Sequence, residues 1–294
     1  MKVLILGATG MLGRALAKTL ASKYDITGIG RSEANPDTKI NYKKIDLLDK
    51  TQLKSFFDQN QYDSIINCAA IINHSFCEEN PKECNKLNAE LNHFISKLVS
   101  PKTKYIFISS DAVFKDDDKD RTELGETNPD SIYGKSKLLA ESIVSESFNN
   151  YIIVRTTILG FSPRKTSLTD WIISTAQSNK TLNLFDDVLF NPISVWSLSS
   201  EIAYLIEHFS DYSQQLLHIN GAEKTTKYNF GLGLLKQLKM DHNSVKKTSI
   251  LDFSNREKRV LNQCLDVNYY QNLTKRHLPT LNSTIETICK NFSK

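Results

Sequence analysis

Val3-Leu4-Ile5-Leu6-Gly7-Ala8-Thr9-Gly10-Met11-Leu12-Gly13 is the stretch that decides how this chain folds. Four consecutive apolar residues make a strand buried on both faces, the pattern of a parallel sheet. Gly7, Gly10 and Gly13 follow at once and open a helix expected from Met11 to Ser22. Strand, glycine turn and helix in this order are the context a dinucleotide site needs. The turn is tight, the backbone can approach a pyrophosphate, and the helix amino terminus stabilises the phosphate charge. The plainer reading is a tight turn without a ligand. Its place directly after the first strand favours a cofactor.

Outward from this turn, short apolar strands alternate with longer amphipathic helices. Strands are expected at Asp25 to Gly30, Ser64 to Asn67, Tyr105 to Ile108 and Tyr151 to Arg155. Helices are expected from Pro81 to Val99 and from Asp130 or Ser131 through Ser145. This alternation predicts an α/β, doubly wound, Rossmann-type parallel sheet. After Gly160 the rhythm breaks. A helix at Ser197 to Phe209 and a strand at Leu216 to Ile219 are expected to rejoin the sheet. The expected division is a dinucleotide-binding domain over 1–160, rejoined by about 191–221, and a smaller substrate lobe over 161–190 and 222–294.

The second strand ends in Gly30-Arg31-Ser32 where an acidic residue would grip the ribose hydroxyls of NAD. Arg31 can pair with a 2′-phosphate, so NADP(H) is favoured and NAD(H) is the alternative; a surface arginine without a ligand is the plainer reading. Asp46-Leu47 has two equal readings. It meets the adenine edge, or Asp46 caps the helix near Lys50 to Phe57.

Ser109-Ser110-Asp111 precedes Tyr133-Gly134-Lys135-Ser136-Lys137. A Tyr and a Lys four apart share one helix face. A free phenol has a pKa near ~10. A cation one turn away favours the phenolate and lowers that value. Ser110 can hydrogen-bond a substrate oxygen. Taken singly, Tyr133 is packing and Lys137 is solvated; their joint occurrence after Ser110 and a glycine turn points to proton delivery beside a dinucleotide.

The 294 residues carry a formal net charge of +4, 40% hydrophobic and 24% charged residues, so an ordinary globular chain is expected. No Lys/Arg block suggests nucleic acid, and Lys239 and Lys246-Lys247 read as solvated surface. No apolar run approaches the ~20 residues of a membrane span, and Val3 to Leu6 is too short for a signal peptide, so a cytoplasmic location is expected. Cys68, Cys77, Cys84, Cys264 and Cys289 fit no zinc spacing, and free thiols are expected. Cys77 and Cys84, about two helical turns apart, could pair only outside a reducing compartment. No His pair stands at i, i+4, so no metal is expected.

The set of motifs resembles an extended short-chain dehydrogenase/reductase, and more narrowly the dTDP-4-dehydrorhamnose reductase group. The carrying segments are the Gly7–Gly13 turn, Asn67-Cys68-Ala69-Ala70, Cys77-Glu78-Glu79-Asn80-Pro81, Asn88, Ser109 to Phe114, Tyr133 to Lys137 and Val154-Arg155-Thr156. Asn191-Pro192-Ile193 and His218-Ile219-Asn220-Gly221 are later echoes; the likeness fades after about residue 222.

The resemblance implies hydride transfer from reduced nicotinamide to a ketone, at C4 of a nucleotide-linked deoxysugar, for polysaccharide precursor synthesis. It implies Tyr133 as the proton donor, Lys137 as the ribose holder that tunes it, and Ser110 as the carbonyl's hydrogen-bond donor. Gly7, Thr9, Gly10, Met11, Leu12, Gly13, Arg31, Asp46, Leu47, Cys68, Ala69 and Ala70 would line the cofactor. Asp111, Ala112, His74 and Asn191 are candidate substrate contacts, although Asp111 also reads as a turn residue and His74 as a structural one. Asn88 is a supporting group or a polar helix residue, and Arg155 supports the site or ends a strand. Monomers or homodimers are implied.

Three departures fall on the pocket side in relatives: Ala112, Ile71-Ile72-Asn73-His74-Ser75 and Thr157-Ile158-Leu159. They imply retained chemistry on a different sugar. An epimerase or dehydratase of the same superfamily is the second reading, but Ser110-Asp111-Ala112 supplies one carboxylate where dehydratases use a pair, and Arg31 speaks against the bound NAD of epimerases. A non-catalytic NADP-binding regulatory subunit is the third.

Overall fold

The computed structural model describes residues 1–32, 40–115, 121–252 and 260–292. In chain order its first half contains β1 (Lys2–Leu6), α1 (Met11–Leu20), β2 (Asp25–Gly30), β3 (Asn41–Lys44), α2 (Lys50–Gln59), β4 (Ser64–Asn67), α3 (His74–Glu79), α4 (Pro81–Asn85), a π-turn (Lys86–Glu90), α5 (Leu91–Ser96), β5 (Lys104–Ile108), α6 (Ile132–Ser147) and β6 (Tyr151–Arg155). The second half contains β7 (Ile158–Leu159), α7 (Leu168–Gln177), β8 (Leu182–Phe185), β9 (Leu189–Phe190), β10 (Ile193–Ser194), α8 (Val195–Glu207), α9 (Phe209–Tyr212), β11 (Gln215–His218), β12 (Thr225–Thr226), α10 (Lys227–Gln237), β13 (Val245–Thr248), α11 (Asn268–Thr274) and α12 (Leu281–Lys290).

A seven-stranded sheet runs in the order β11-β6-β5-β4-β1-β2-β3, the expected doubly wound arrangement. The pairings β1–β2, β1–β4, β2–β3, β4–β5 and β5–β6 are parallel. Val3, Leu4, Ile5 and Leu6 are wholly buried in β1, as two covered sheet faces demand. α1 turns Leu12, Ala15, Leu16, Ala17 and Leu20 inward at helical spacing. α2 starts at Asp49, whose carboxylate accepts from Thr51 N and Gln52 N; Asp49, not Asp46, is therefore the cap of this helix.

The expected single helix over 81–99 is instead α4, a π-turn and α5. The interruption falls at Asn88, whose carboxamide accepts from Ile71 N at 2.8 Å and donates to Ile71 O at 3.0 Å. One residue extra in the turn brings this amide to the loop after β4, a placement π-turns often serve at functional sites.

The described chain forms two compact units. The first is Met1–Val113, Thr127–Arg155 and Ser199–Leu217, with a core that includes Leu4, Leu6, Ile65, Tyr105, Phe107 and Val144. The second is Phe114–Glu126, Thr156–Leu198 and His218–Lys294. Its core joins Ile172 of α7, Leu182 and Leu184 of β8, Phe230 and Leu234 of α10, and Ile285 and Ile288 of α12.

Candidate active site

The candidate site of the first unit lies where the parallel strands end. After β1, Gly7 has φ +79, a left-handed conformation that suits glycine, and a Cβ there would stand 2.9 Å from the Ala69 backbone. Gly7 N and Ala8 N donate to Ile29 O, and Gly10 N closes the turn on Gly7 O. Leu12 is buried and Met11 half-buried, and no side chain caps the α1 amino terminus at Gly10. Arg14 Nε donates to Thr9 O at 3.2 Å, fixing the turn from the helix side. Cys68 N reaches Leu6 O after β4, so Cys68, Ala69 and Ala70 run beside the glycine turn. A narrow backbone cradle with open helix N–H groups is chemically suited to a pyrophosphate.

Arg31 is exposed at the end of β2. Tyr42 ties that end down, its hydroxyl donating to Gly30 O at 2.8 Å and to Ser32 O. Asp46 forms a local turn with Leu48 N at 3.0 Å, and the Leu47 side chain belongs to the core. A groove of about 770 Å³ includes Leu47, Leu48, Lys82, Lys86, Leu91 and Phe94. It contains none of Ser110, Tyr133 or Lys137.

α6 starts at Ser131, whose hydroxyl accepts from Gly134 N at 3.0 Å, while Glu78 accepts from Ile132 N at 2.8 Å. A Cβ on Gly134 would collide with the Ala112 carbonyl, so only glycine lets α6 come this close to the turn after β5. Tyr133 consequently stands beside Ser110, and its ring lies 4.9 Å from that of His74 at a tilt of 48°. Ser110 Oγ donates to Asp111 Oδ1 at 3.1 Å and accepts from Ala112 N at 3.2 Å. Asp111 is thus engaged with Ser110 itself.

Lys137 is 1% exposed. Its amine donates to Ile108 O at 2.7 Å and sits 4.0 Å from the centre of the Phe107 ring. Burial pulls its pKa down to about 7 against the opposing field of Glu141. Burial likewise pushes the Tyr133 phenol above its ordinary value, and the Ser110 hydrogen bond works against that rise. Burial is the largest influence on the phenol, and the Lys137 amine is turned to the Ile108 carbonyl.

Behind Tyr133 lies a buried polar cluster in which the sequence singles out Asn88 as a supporting group or a polar helix residue, but not Ser136. Ser136 Oγ donates to Tyr133 O at 2.7 Å and accepts from Asn88 at 3.0 Å. Cys77 and Cys84 are free thiols with sulfurs 2.9 Å apart, and burial pushes Cys77 up to about 12. The repeated polar residues on otherwise apolar helix faces were the available signal.

Asn191 lies in the second unit. Its carboxamide donates to Gly221 O and Leu265 O and accepts from Leu265 N and Asn220. These bonds use all of its donors and acceptors on the loops themselves. Among the described residues, no group of three or more His, Cys, Asp or Glu is arranged to hold a metal, and no helix is long and apolar enough to cross a membrane.

The chain is 24% identical over 300 residues to a probable low-salt glycan biosynthesis reductase of Haloferax volcanii, covering 100% of this chain and 99% of that protein. It is 29% identical over 240 residues to methionine adenosyltransferase 2 subunit beta of Rattus norvegicus, covering 79% and 71%. Its fold is similar to that of a dTDP-4-dehydrorhamnose reductase from Bacillus anthracis str. Ames solved in complex with NADP, with TM-score 0.85, 24% identity and 98% of each chain covered. A family model described as RmlD substrate binding domain matches residues 1–294. The chain therefore belongs to the RmlD substrate binding domain family.

Proposed function

We propose that this protein reduces the C4 ketone of a nucleotide-linked deoxysugar with NADPH, in the cytoplasm, supplying precursors for a surface polysaccharide. The observation that carries the reading is the convergence of Ser110, Tyr133 and Lys137 in the unit that holds the glycine turn. The Gly7–Gly13 turn, Arg31, Asp46-Leu47, Cys68 to Ala70 and Lys137 would hold the cofactor. NADP(H) is favoured by Arg31 and by the NADP-bound neighbour, and NAD(H) is the alternative.

When bound, the reduced nicotinamide supplies the hydride. Ser110 orients the carbonyl oxygen through its hydroxyl. Tyr133 holds a proton at its phenol oxygen and gives it to the alkoxide as charge develops. Lys137 would hold the ribose hydroxyls with its amine, whose three donors let it keep Ile108 O. His74, against the Tyr133 ring, faces the substrate side. The lobe at 161–190 and 222–294 selects the sugar, and the protein works as a monomer or homodimer.

The likeness to methionine adenosyltransferase 2 subunit beta supports a second reading, an NADP-binding regulatory subunit. The deciding experiment follows NADPH and NADH absorbance with purified protein and a panel of 4-keto sugar nucleotides. Oxidation with one panel member sustains the reductase. NADPH binding without turnover, together with a changed rate of an added methionine adenosyltransferase, sustains the regulatory subunit.

A further inference from the structure

Glu141 stands two turns after Tyr133 and one turn after Lys137, on the same face of α6. It is 5% exposed, and nothing in the proposed reaction uses it. Its Oε1 accepts from Ser109 Oγ at 2.5 Å and from Arg155 Nε at 3.0 Å; its Oε2 accepts from Arg155 Nη2 at 2.7 Å. Arg155, 3% exposed at the end of β6, therefore grips the carboxylate with two bonds, the geometry that fixes orientation as well as charge. One residue before Ser109, Ile108 O receives the Lys137 amine. One residue after it comes Ser110. The end of β5 is thus stitched to α6 on consecutive residues, by Lys137 to Ile108 and by Glu141 to Ser109.

We propose that Glu141 is a positioning residue: by clamping Ser109, with Arg155 behind it, it holds Ser110 in register with Tyr133 and Lys137. The inference rests on the reductase reading. A buried Arg–carboxylate pair is poor ground for stability alone, since its desolvation offsets its attraction. Here the pair joins β6 to the helix that presents Tyr133, and the Glu141–Ser109 bond ties that helix to the end of the strand that presents Ser110, where an error of an ångström is costly to a reaction.

The clamp also has an electrostatic effect. Lys137 shares one face of α6 with Tyr133 and Glu141 and meets Glu141, Cys68 after β4, Cys84 on α4 and the Phe107 ring on β5; Arg155 lies beyond Glu141, and Asp111 beside Tyr133. Burial pushes the Cys68 thiol up to about 12, so it is neutral at physiological pH. The Glu141 carboxylate is the foremost of the groups that favour the Lys137 ammonium. Removing its charge lets the ammonium lose its proton at lower pH.

The test uses three variants of the full chain. Ser109→Ala breaks the stitch and keeps the ion pair. Glu141→Gln removes the charge, and Glu141→Gln with Arg155→Gln also avoids a stranded guanidinium. Ser109→Ala is expected to lower kcat about tenfold, the worth of one hydrogen bond, with KM for NADPH within about twofold. The two Gln variants are expected to move the basic limb of kcat/KM, and the alkaline loss of NADPH affinity measured by fluorescence without substrate, about one pH unit lower. Variants that lose melting temperature but keep wild-type kcat and wild-type pH profiles would overturn the proposal. If the Gln variants do not fold, Ser109→Ala decides by its kcat. If the wild type turns over no ketone, the reductase reading fails, and the pH dependence of NADPH binding still decides the role of Glu141.

Discussion

Tyr133 is subject to two opposing influences. Loss of water holds its phenol above the ordinary range, and the Ser110 hydrogen bond draws it back. In the reductive direction a raised value is no handicap, because the phenol is protonated before the alkoxide forms. Tyr133→Phe retains the ring beside His74 and removes the proton. Its kcat is expected to fall by about 10²–10⁴-fold, with NADPH affinity by fluorescence nearly unchanged; a wild-type rate would remove Tyr133 as the acid. Arg31 is exposed and free to meet a phosphate at the end of β2. Arg31→Ala is expected to weaken NADPH by about 1.5–3 kcal/mol, the range for a charge-assisted hydrogen bond, and NADH far less. Equal losses in calorimetric titrations of both cofactors would take the phosphate role from Arg31.

At the scale of elements, the π-turn and α6 form one device. Asn88 holds both backbone polar groups of Ile71 and one bond of Ser136, which in turn bonds the Tyr133 carbonyl. Asn88→Ala leaves buried partners unpaired at about 1–3 kcal/mol each. Urea unfolding should show a loss in that range, and kcat should drop because Ile71 leads into the segment that carries His74. An unchanged midpoint would mean that water replaces the amide at no cost. Helical periodicity announces the apolar face of 81–99, but it cannot show the place where a side-chain amide competes with the helix ladder. The motif Tyr133 to Lys137 was legible for the opposite reason: both residues depend on one turn of one helix.

At the scale of the whole molecule, burial of Lys137 couples the site to folding. Its folded pKa of about 7 lies below the ordinary 10.5. Between these values the unfolded chain binds the extra proton, so stability rises with pH across that window and the gain is lost as pH falls towards 7. Melting temperatures of the cofactor-free protein should carry this rising component, and Lys137→Met should lack it. Parallel profiles for the two proteins would contradict a desolvated amine.

Composition and spacing were sufficient for the parallel sheet, the glycine turn after β1 and the order Ser110, Tyr133, Lys137, since short patterns of residue types announce each strand, turn and helix. Asp46 shows where local reading stops, because Asp46 and Asp49 offer the same chemistry and only the backbone path makes Asp49 the cap of α2. Folding alone brought Lys137 to Ile108 O, Ser109 to Glu141, and the sulfurs of Cys77 and Cys84 to 2.9 Å. It also closed Asn191 into the loops around Gly221 and Leu265. Most of these contacts join segments far apart in the chain, and the two thiols meet across separate helices. Their distances are set by how strands and helices pack, which no periodicity along the sequence encodes.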